Sequence, residues 1–180
     1  MILVRHGQSQ FNAAYNATRI DPGIVDAGLT DEGVRQAEAA GAALLAEDVR
    51  VVLASPYSRT LHTAAIIAER LGLAVTVEPL VHERAYFSCD IGTPRTELAR
   101  RWPDIDFGDL PERWWPEPEE PEAAMQRRCI SFRAAAAARP DWPHLVVVSH
   151  WAFIRGLTGQ ALANGATLRY RLTDTTDGDG

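Results

Sequence analysis

Residues 2–4 form a short apolar run that ends directly in Arg5-His6-Gly7, the pattern of a buried strand that delivers polar side chains at its C-terminal end. The same pattern recurs further along. Residues 50–54 (RVVLA) run into Ser55-Pro56, residues 73–77 are short and rich in Val, and residues 144–148 (HLVVV) run into Ser149-His150. Between these four predicted strands lie windows with apolar residues at helical spacing: 30–45 (Val34, Ala37, Leu44, Leu45), 58–71 (Ala64, Ile67, Ala68, Leu71) and 122–139 (Met125, Cys129, Phe132, Ala136). Thr30 followed by Asp31 and Glu32 marks a helix start. Alternating strands and helices predict an α/β fold, a mainly parallel central sheet with helices on both faces. Ligands of such sheets bind beyond the carboxyl ends of the strands, so Arg5-His6, Ser55-Pro56 and Ser149-His150 are expected to converge.

Residues 87–121 break the pattern. They are rich in Pro, Trp and acids, and they read as a small irregular lid inserted over the site within one domain spanning 1–172. Residues 173–180 (TDTTDGDG) read as a disordered tail.

At 180 residues with 46% hydrophobic content, the chain is long enough for one core. No stretch approaches the roughly 18 apolar residues of a membrane span, and the opening lacks the look of a signal peptide, so a cytoplasmic protein is expected. Cys89 and Cys129 show no metal-ligand spacing, and no metal or cofactor is implied. All 18 basic residues are arginine, which rules out a catalytic lysine. The net charge of −6 argues against a nucleic-acid face. That charge is concentrated: residues 104–122 carry eight acids against Arg113, which leaves the rest of the chain before the acidic tail net positive. A positive pocket is therefore compatible with an acidic protein.

Phosphoryl transfer without a metal needs a nucleophile, fixed positive donors around the phosphoryl oxygens, and an acid for the leaving group. Arg5 and His6 at a strand end, Asn12 in the polar stretch after them, Arg59 at a predicted helix start and His150 at another strand end supply the first two. Glu83, in the connection after the third strand, supplies the third, with Asp90 as a nearby rival.

These elements resemble the histidine phosphatase superfamily, which includes phosphoglycerate mutases and phosphatases. The match comprises ILVRHGQSQFN, LTDEGVRQA (29–37), SPYSRTLHTA (55–64) and VVVSHWAFIRGL (146–157), in the family's order. The resemblance implies a phosphoglycerate mutase-like fold and a phosphohistidine on His6. It also implies that Arg5, Arg59 and His150 cradle the phosphoryl oxygens, that Asn12 adds a donor, and that Glu83 is the acid. Where the family often has a small residue this chain has Trp151, which places an indole at the pocket. His62 and His82 read as surface or supporting groups, and Arg100-Arg101 either contacts a second substrate anion or forms a solvated pair. The expected activity is phosphomonoester hydrolysis of a small phosphorylated metabolite, with no nucleic-acid or membrane partner and the oligomeric state open. A mutase-type isomerase and an idle phosphate-binding regulatory module stand as alternatives.

Overall fold

The computed structural model describes residues 1–172, so the expected disordered tail lies outside the described residues. Five strands, β1 (Ile2–Arg5), β2 (Val51–Ala54), β3 (Val75–Val77), β4 (Leu145–Ser149) and β5 (Thr167–Arg169), form one sheet in the order β3-β2-β4-β1-β5. All neighbours pair in parallel except β5, which runs antiparallel to β1 at the edge. Six α-helices accompany them: α1 (Gln10–Thr18), α2 (Asp31–Leu44), α3 (Ser58–Leu71), α4 (Arg95–Arg101), α5 (Glu122–Ala137) and α6 (Trp151–Thr158). None is long and apolar enough to cross a membrane among the described residues.

Successive strand side chains point to opposite faces, and each central strand therefore feeds two cores. Ile2, Val4, Val146 and Val148 pack with α2 and α3 through Leu44, Leu61, Ala64 and Ile67. Leu3, Leu145 and Val147 pack on the other face with α5 and α6 through Met125, Phe132, Phe153 and Ile154. Both faces of a parallel sheet must be covered, which is why its strands read as continuous apolar runs.

Two departures from expectation concern how polar or irregular segments fold. The stretch after Gly7 is helical. Ser9 caps α1, its side chain accepting from the Asn12 N–H (3.1 Å) while the Asn12 side chain accepts from the Ser9 N–H (3.1 Å). The segment expected to be a lid instead sends several apolar residues into the core. Leu98, Ile105, Phe107, Leu110 and Trp114 are buried in the same cluster as Val52 and Tyr57, and Asp106 bridges to Thr76 beside β3. Most of its acids face outward, Asp90 and Glu120 being buried, while its apolar residues cover the sheet. Only its first residues, including Phe87, Cys89 and Asp90, reach the cavity described below.

The turn after β1 is fixed by a backbone contact that no side chain can share. A Cβ at Gly7 would lie within 2.2 Å of the Gly33 carbonyl oxygen, and one at Gly33 within 2.1 Å of the Gln8 carbonyl oxygen. The first turn of α2 thus presses directly on the strand end that carries His6. In an ordinary helix interior Gly→Ala gains about 1 kcal/mol. Gly33→Ala is expected to reverse that sign, lowering the unfolding free energy by about 2 kcal/mol in denaturant titration because the backbones must separate. An unchanged or raised midpoint would contradict the contact.

Candidate active site

Three strand ends converge as their order in the sheet requires. β1 and β4 are neighbours, with Arg5 in register with Ser149, and the His6 N–H donates to the Ser149 carbonyl (3.0 Å). The His6 and His150 rings lie 5.2 Å apart, edge to face. Beside them is a cavity of about 510 Å³ whose wall includes Arg5, His6, Asn12, Arg59, Glu83 and Trp151.

His6 is almost wholly buried. Its Nδ1 lies 2.7 Å from the Gly7 carbonyl oxygen, an acceptor, so the ring proton sits on Nδ1 and Nε2 keeps its lone pair. Burial, and then the positive charges of Arg59 and Arg5, push the His6 pKa well below the usual imidazole range. A neutral ring with a free nitrogen is the nucleophilic form of histidine.

The two arginines are held differently. Arg5 donates through Nη1 to the Leu162 carbonyl (2.8 Å), while its Nε is buried without a partner. With one of its five N–H groups bonded, the Arg5 guanidinium on the cavity wall has further donors. Arg59, also buried, donates through Nε to His150 Nδ1 (3.3 Å), through Nη1 to the Cys89 carbonyl (2.8 Å) and through Nη2 to Asp90 Oδ1 (3.0 Å). Three of its five N–H groups are committed and two remain.

His150 differs from expectation. It was expected among the groups that cradle the phosphoryl oxygens, yet its ring is fully buried behind Arg59. Nδ1 accepts from Arg59 and Nε2 meets Ser55 Oγ at 2.8 Å, so both ring nitrogens are engaged away from the cavity. Its placement is that of an anchor for Arg59. Asn12 does line the cavity. Its Oδ1 accepts from Ser9 and from Asn164 Nδ2 (3.1 Å), which leaves its amide N–H groups as the donors available.

The two carboxyls separate cleanly. Asp90 is fully committed: Oδ1 to Arg59, and Oδ2 to the backbone N–H groups of Tyr86 (3.1 Å) and Phe87 (3.0 Å). Glu83 takes two backbone donors: Oε1 accepts from Arg84 N–H (2.9 Å) and from Ala152 N–H at the start of α6 (3.0 Å), and the Ala152 N–H is shared with Oε2 at the longer distance of 3.3 Å. Oε2 is the freer oxygen for a proton. Burial, and then the Asp90 charge, raise the Glu83 pKa to about 7.

Sequence reasoning missed what holds Glu83. Arg128 of α5 donates to the carbonyls of Leu80 (2.9 Å) and His82 (3.0 Å), and its Nη2 pairs with Glu120 Oε2 at 2.8 Å, largely out of water. Arg128 sits within a helix that otherwise reads as core packing, and only a conserved charge in an alignment would have marked it. Arg100 and Arg101, by contrast, are exposed and both pair with Glu97. Neither lines the cavity. Among the described residues no group of His, Cys, Asp and Glu is arranged to hold a metal ion.

A sequence profile described as "Histidine phosphatase superfamily (branch 1)" matches residues 1–176. The chain belongs to the histidine phosphatase superfamily. Within that superfamily it is 30% identical to phosphoserine phosphatase 1 of Hydrogenobacter thermophilus over 164 residues, covering 87% of this chain and 73% of that one. It is also 33% identical to 2,3-bisphosphoglycerate-dependent phosphoglycerate mutase 2 of Latilactobacillus sakei, over 58% of this chain and 45% of the mutase, so it spans less than half the length of that relative. A solved mycobacterial glucosyl-3-phosphoglycerate phosphatase shares the fold at a TM-score of 0.60 and 23% identity, covering 88% of this chain and 77% of that one. This histidine phosphatase superfamily member thus has relatives named as phosphatases and as mutases.

The Arg5 guanidinium on the cavity wall makes a direct prediction about anions. Inorganic phosphate or vanadate is expected to bind and raise the unfolding temperature, and Arg5→Met is expected to weaken that binding by ~10- to 100-fold in calorimetric titration, the worth of a charge-assisted hydrogen bond. Unchanged affinity in the variant would show that the anion goes elsewhere.

Proposed function

We propose that this chain hydrolyses phosphomonoesters through a phosphohistidine on His6, with arginine rather than a metal ion supplying the positive charge. The observation that carries the reading is that one cavity brings together a neutral His6, the Arg5 and Arg59 guanidiniums, and a carboxyl whose pKa is about 7. The substrate is a small phosphorylated metabolite.

In the first step the His6 Nε2 lone pair forms a bond to phosphorus while the P–O ester bond breaks. The departing oxygen takes the proton from Glu83 Oε2 and leaves as an alcohol. Arg5 and Arg59, with the Asn12 amide, hold the charge spread over the three equatorial oxygens. In the second step a water gives its proton to the Glu83 carboxylate as its oxygen attacks phosphorus. The P–N bond breaks, inorganic phosphate leaves, and both His6 and Glu83 return to their starting forms. A pKa near neutrality suits Glu83 to both directions of transfer. Nδ1–H bonding to the Gly7 carbonyl steadies the ring as positive charge develops on it.

Two features favour hydrolysis over isomerisation. A mutase must keep water from the phosphohistidine while an intermediate turns over, which requires a closed cavity. Here the rim is open, with Tyr86 and Trp151 exposed. The Arg100-Arg101 pair that would meet a second anion is tied to Glu97 instead.

The raised Glu83 pKa fixes the sign of the pH dependence. The carboxyl is protonated, and able to act as the acid, below about pH 7 and loses the proton above it. For an alkyl ester such as glycerol phosphate, kcat/KM is expected to fall as pH rises through about 7. Glu83→Gln is expected to remove that descending limb and slow the alkyl ester by ~10²–10⁴, with nitrophenyl phosphate slowed much less because its leaving group hardly needs a proton. The same limb surviving in Glu83→Gln would exclude Glu83 as the acid. With 3-phosphoglycerate, phosphate release is expected to outrun 2-phosphoglycerate formation whether or not 2,3-bisphosphoglycerate is added, and primer-dependent isomer formation would favour the mutase.

A further inference from the structure

The phosphate-facing groups account for only part of the cavity; the remainder of its wall is aromatic. Phe11 and Tyr15, four residues apart on one face of α1, stack with centroids 5.5 Å apart, and Phe87 packs on both at 5.4 and 5.1 Å. Phe11 is buried, whereas Tyr15 and Phe87 are only partly covered and line the cavity. Tyr86, which packs on Phe87 at 5.0 Å, is 63% exposed and Trp151 is 38% exposed, although rings of this size in the sheet cores, such as Phe132 and Phe153, are covered completely. Large rings left open on the wall of a concave site are a surface made to be covered by a ligand.

We infer that this wall is a stacking site for a planar aromatic ring carried by the leaving group, so that preferred substrates are phosphomonoesters of ring-bearing alcohols, of the chemical type of a nucleoside 5′-monophosphate. The inference rests on the phosphatase reading of the same cavity. Its wall is built in advance of any ligand. Asp90 holds the backbone N–H groups of Tyr86 and Phe87 with the same carboxylate that anchors Arg59, and Asp21 accepts from the Ser88 N–H (2.9 Å), tying the segment to the end of α1. The spacing between phosphoryl site and rings is therefore set by one side chain. A bare polyol fits less well, because recognising hydroxyls needs fixed polar partners beside the rings. Of the polar groups on this wall, Asp90 and the Asn12 oxygen are committed to internal hydrogen bonds, Arg84 donates to the Glu120 carbonyl, and Asn16 and Arg19 are exposed rather than fixed. Arg19, over the Tyr15 ring at 5.9 Å, has no carboxylate partner among the described residues and offers N–H groups to ring substituents.

Adenosine 5′-monophosphate and ribose 5-phosphate test this, since both release a primary 5′-alkoxide from the same dianion and differ chiefly in the base. Wild-type kcat/KM is expected to favour the nucleotide by about ten-fold or more, the worth of stacking one base. Tyr15→Ala is expected to bring the ratio toward one and Tyr15→Phe to keep it, which a merely structural role for Tyr15 would not do. Equal kcat/KM for the two esters, or a ratio unchanged in Tyr15→Ala, overturns the stacking site while leaving the phosphatase intact. If neither ester nor nitrophenyl phosphate yields phosphate, the phosphatase reading fails. The same pair is then compared by calorimetric binding to the wild-type protein, where ten-fold tighter nucleotide binding upholds the stacking site and equal affinity overturns it.

Discussion

The site is organised by two guanidiniums held at the carboxyl-end edge of the parallel sheet, Arg5 at the end of β1 and the buried Arg59 in the first turn of α3. Arg5 and Arg59 cannot lose their protons, so the protein must compensate two positive charges in a place where water compensates poorly. It does so only in part. Asp90 neutralises Arg59, while Arg5 is given a carbonyl and, among the described residues, no carboxylate within bonding distance. What remains is a positively charged hollow beside His6.

The protonation states of the neighbouring groups follow from burial first and then from these charges. The same positive field, added to burial, keeps His6 neutral and so nucleophilic. His150 is held neutral by burial and by Arg59, and therefore serves Arg59 as an acceptor. Glu83 feels burial and Asp90 more strongly than the arginines, which sets its carboxyl to exchange its proton near neutral pH. Two carboxyls seven residues apart thus take opposite parts. Asp90, bonded by Arg59 and two backbone N–H groups, is a fixed counter-charge. Glu83, anchored by the Ala152 N–H at the start of α6, has its pKa near neutrality, and Arg128 holds the loop that presents it.

Much of this was legible in the sequence because a parallel sheet writes itself plainly. Apolar runs ending in Arg5-His6, Ser55 and Ser149-His150 located both the strands and the edge of the sheet beside which the cavity lies. Where reading failed, the cause was a pattern hidden under polar composition. The helix α1 is held by the Ser9–Asn12 cap rather than by an apolar stripe, so periodicity did not reveal it, and with it the Phe11–Tyr15 wall was overlooked. In residues 95–115 the Pro and acidic residues concealed Leu98, Ile105, Phe107, Leu110 and Trp114, which are spaced for an irregular segment and cover the sheet rather than the site. The choice between Glu83 and Asp90, and the buried placing of His150, depended on which backbone donors each side chain meets. Spacing along the chain carries no such information.

The geometry of His6 is the most direct point of attack on the account. With its proton directed at the Gly7 carbonyl, only Nε2 is free to bond to phosphorus. Rapid quenching of the enzyme during turnover of a phosphorus-labelled ester, followed by alkaline digestion and nuclear magnetic resonance of the phosphoamino acid, distinguishes the two ring positions. Phosphate on Nε2 of His6, acid-labile and base-stable and missing from His6→Ala, is the predicted result. Phosphate on Nδ1, or on a carboxyl, hydroxyl or thiol elsewhere in the chain, would contradict it.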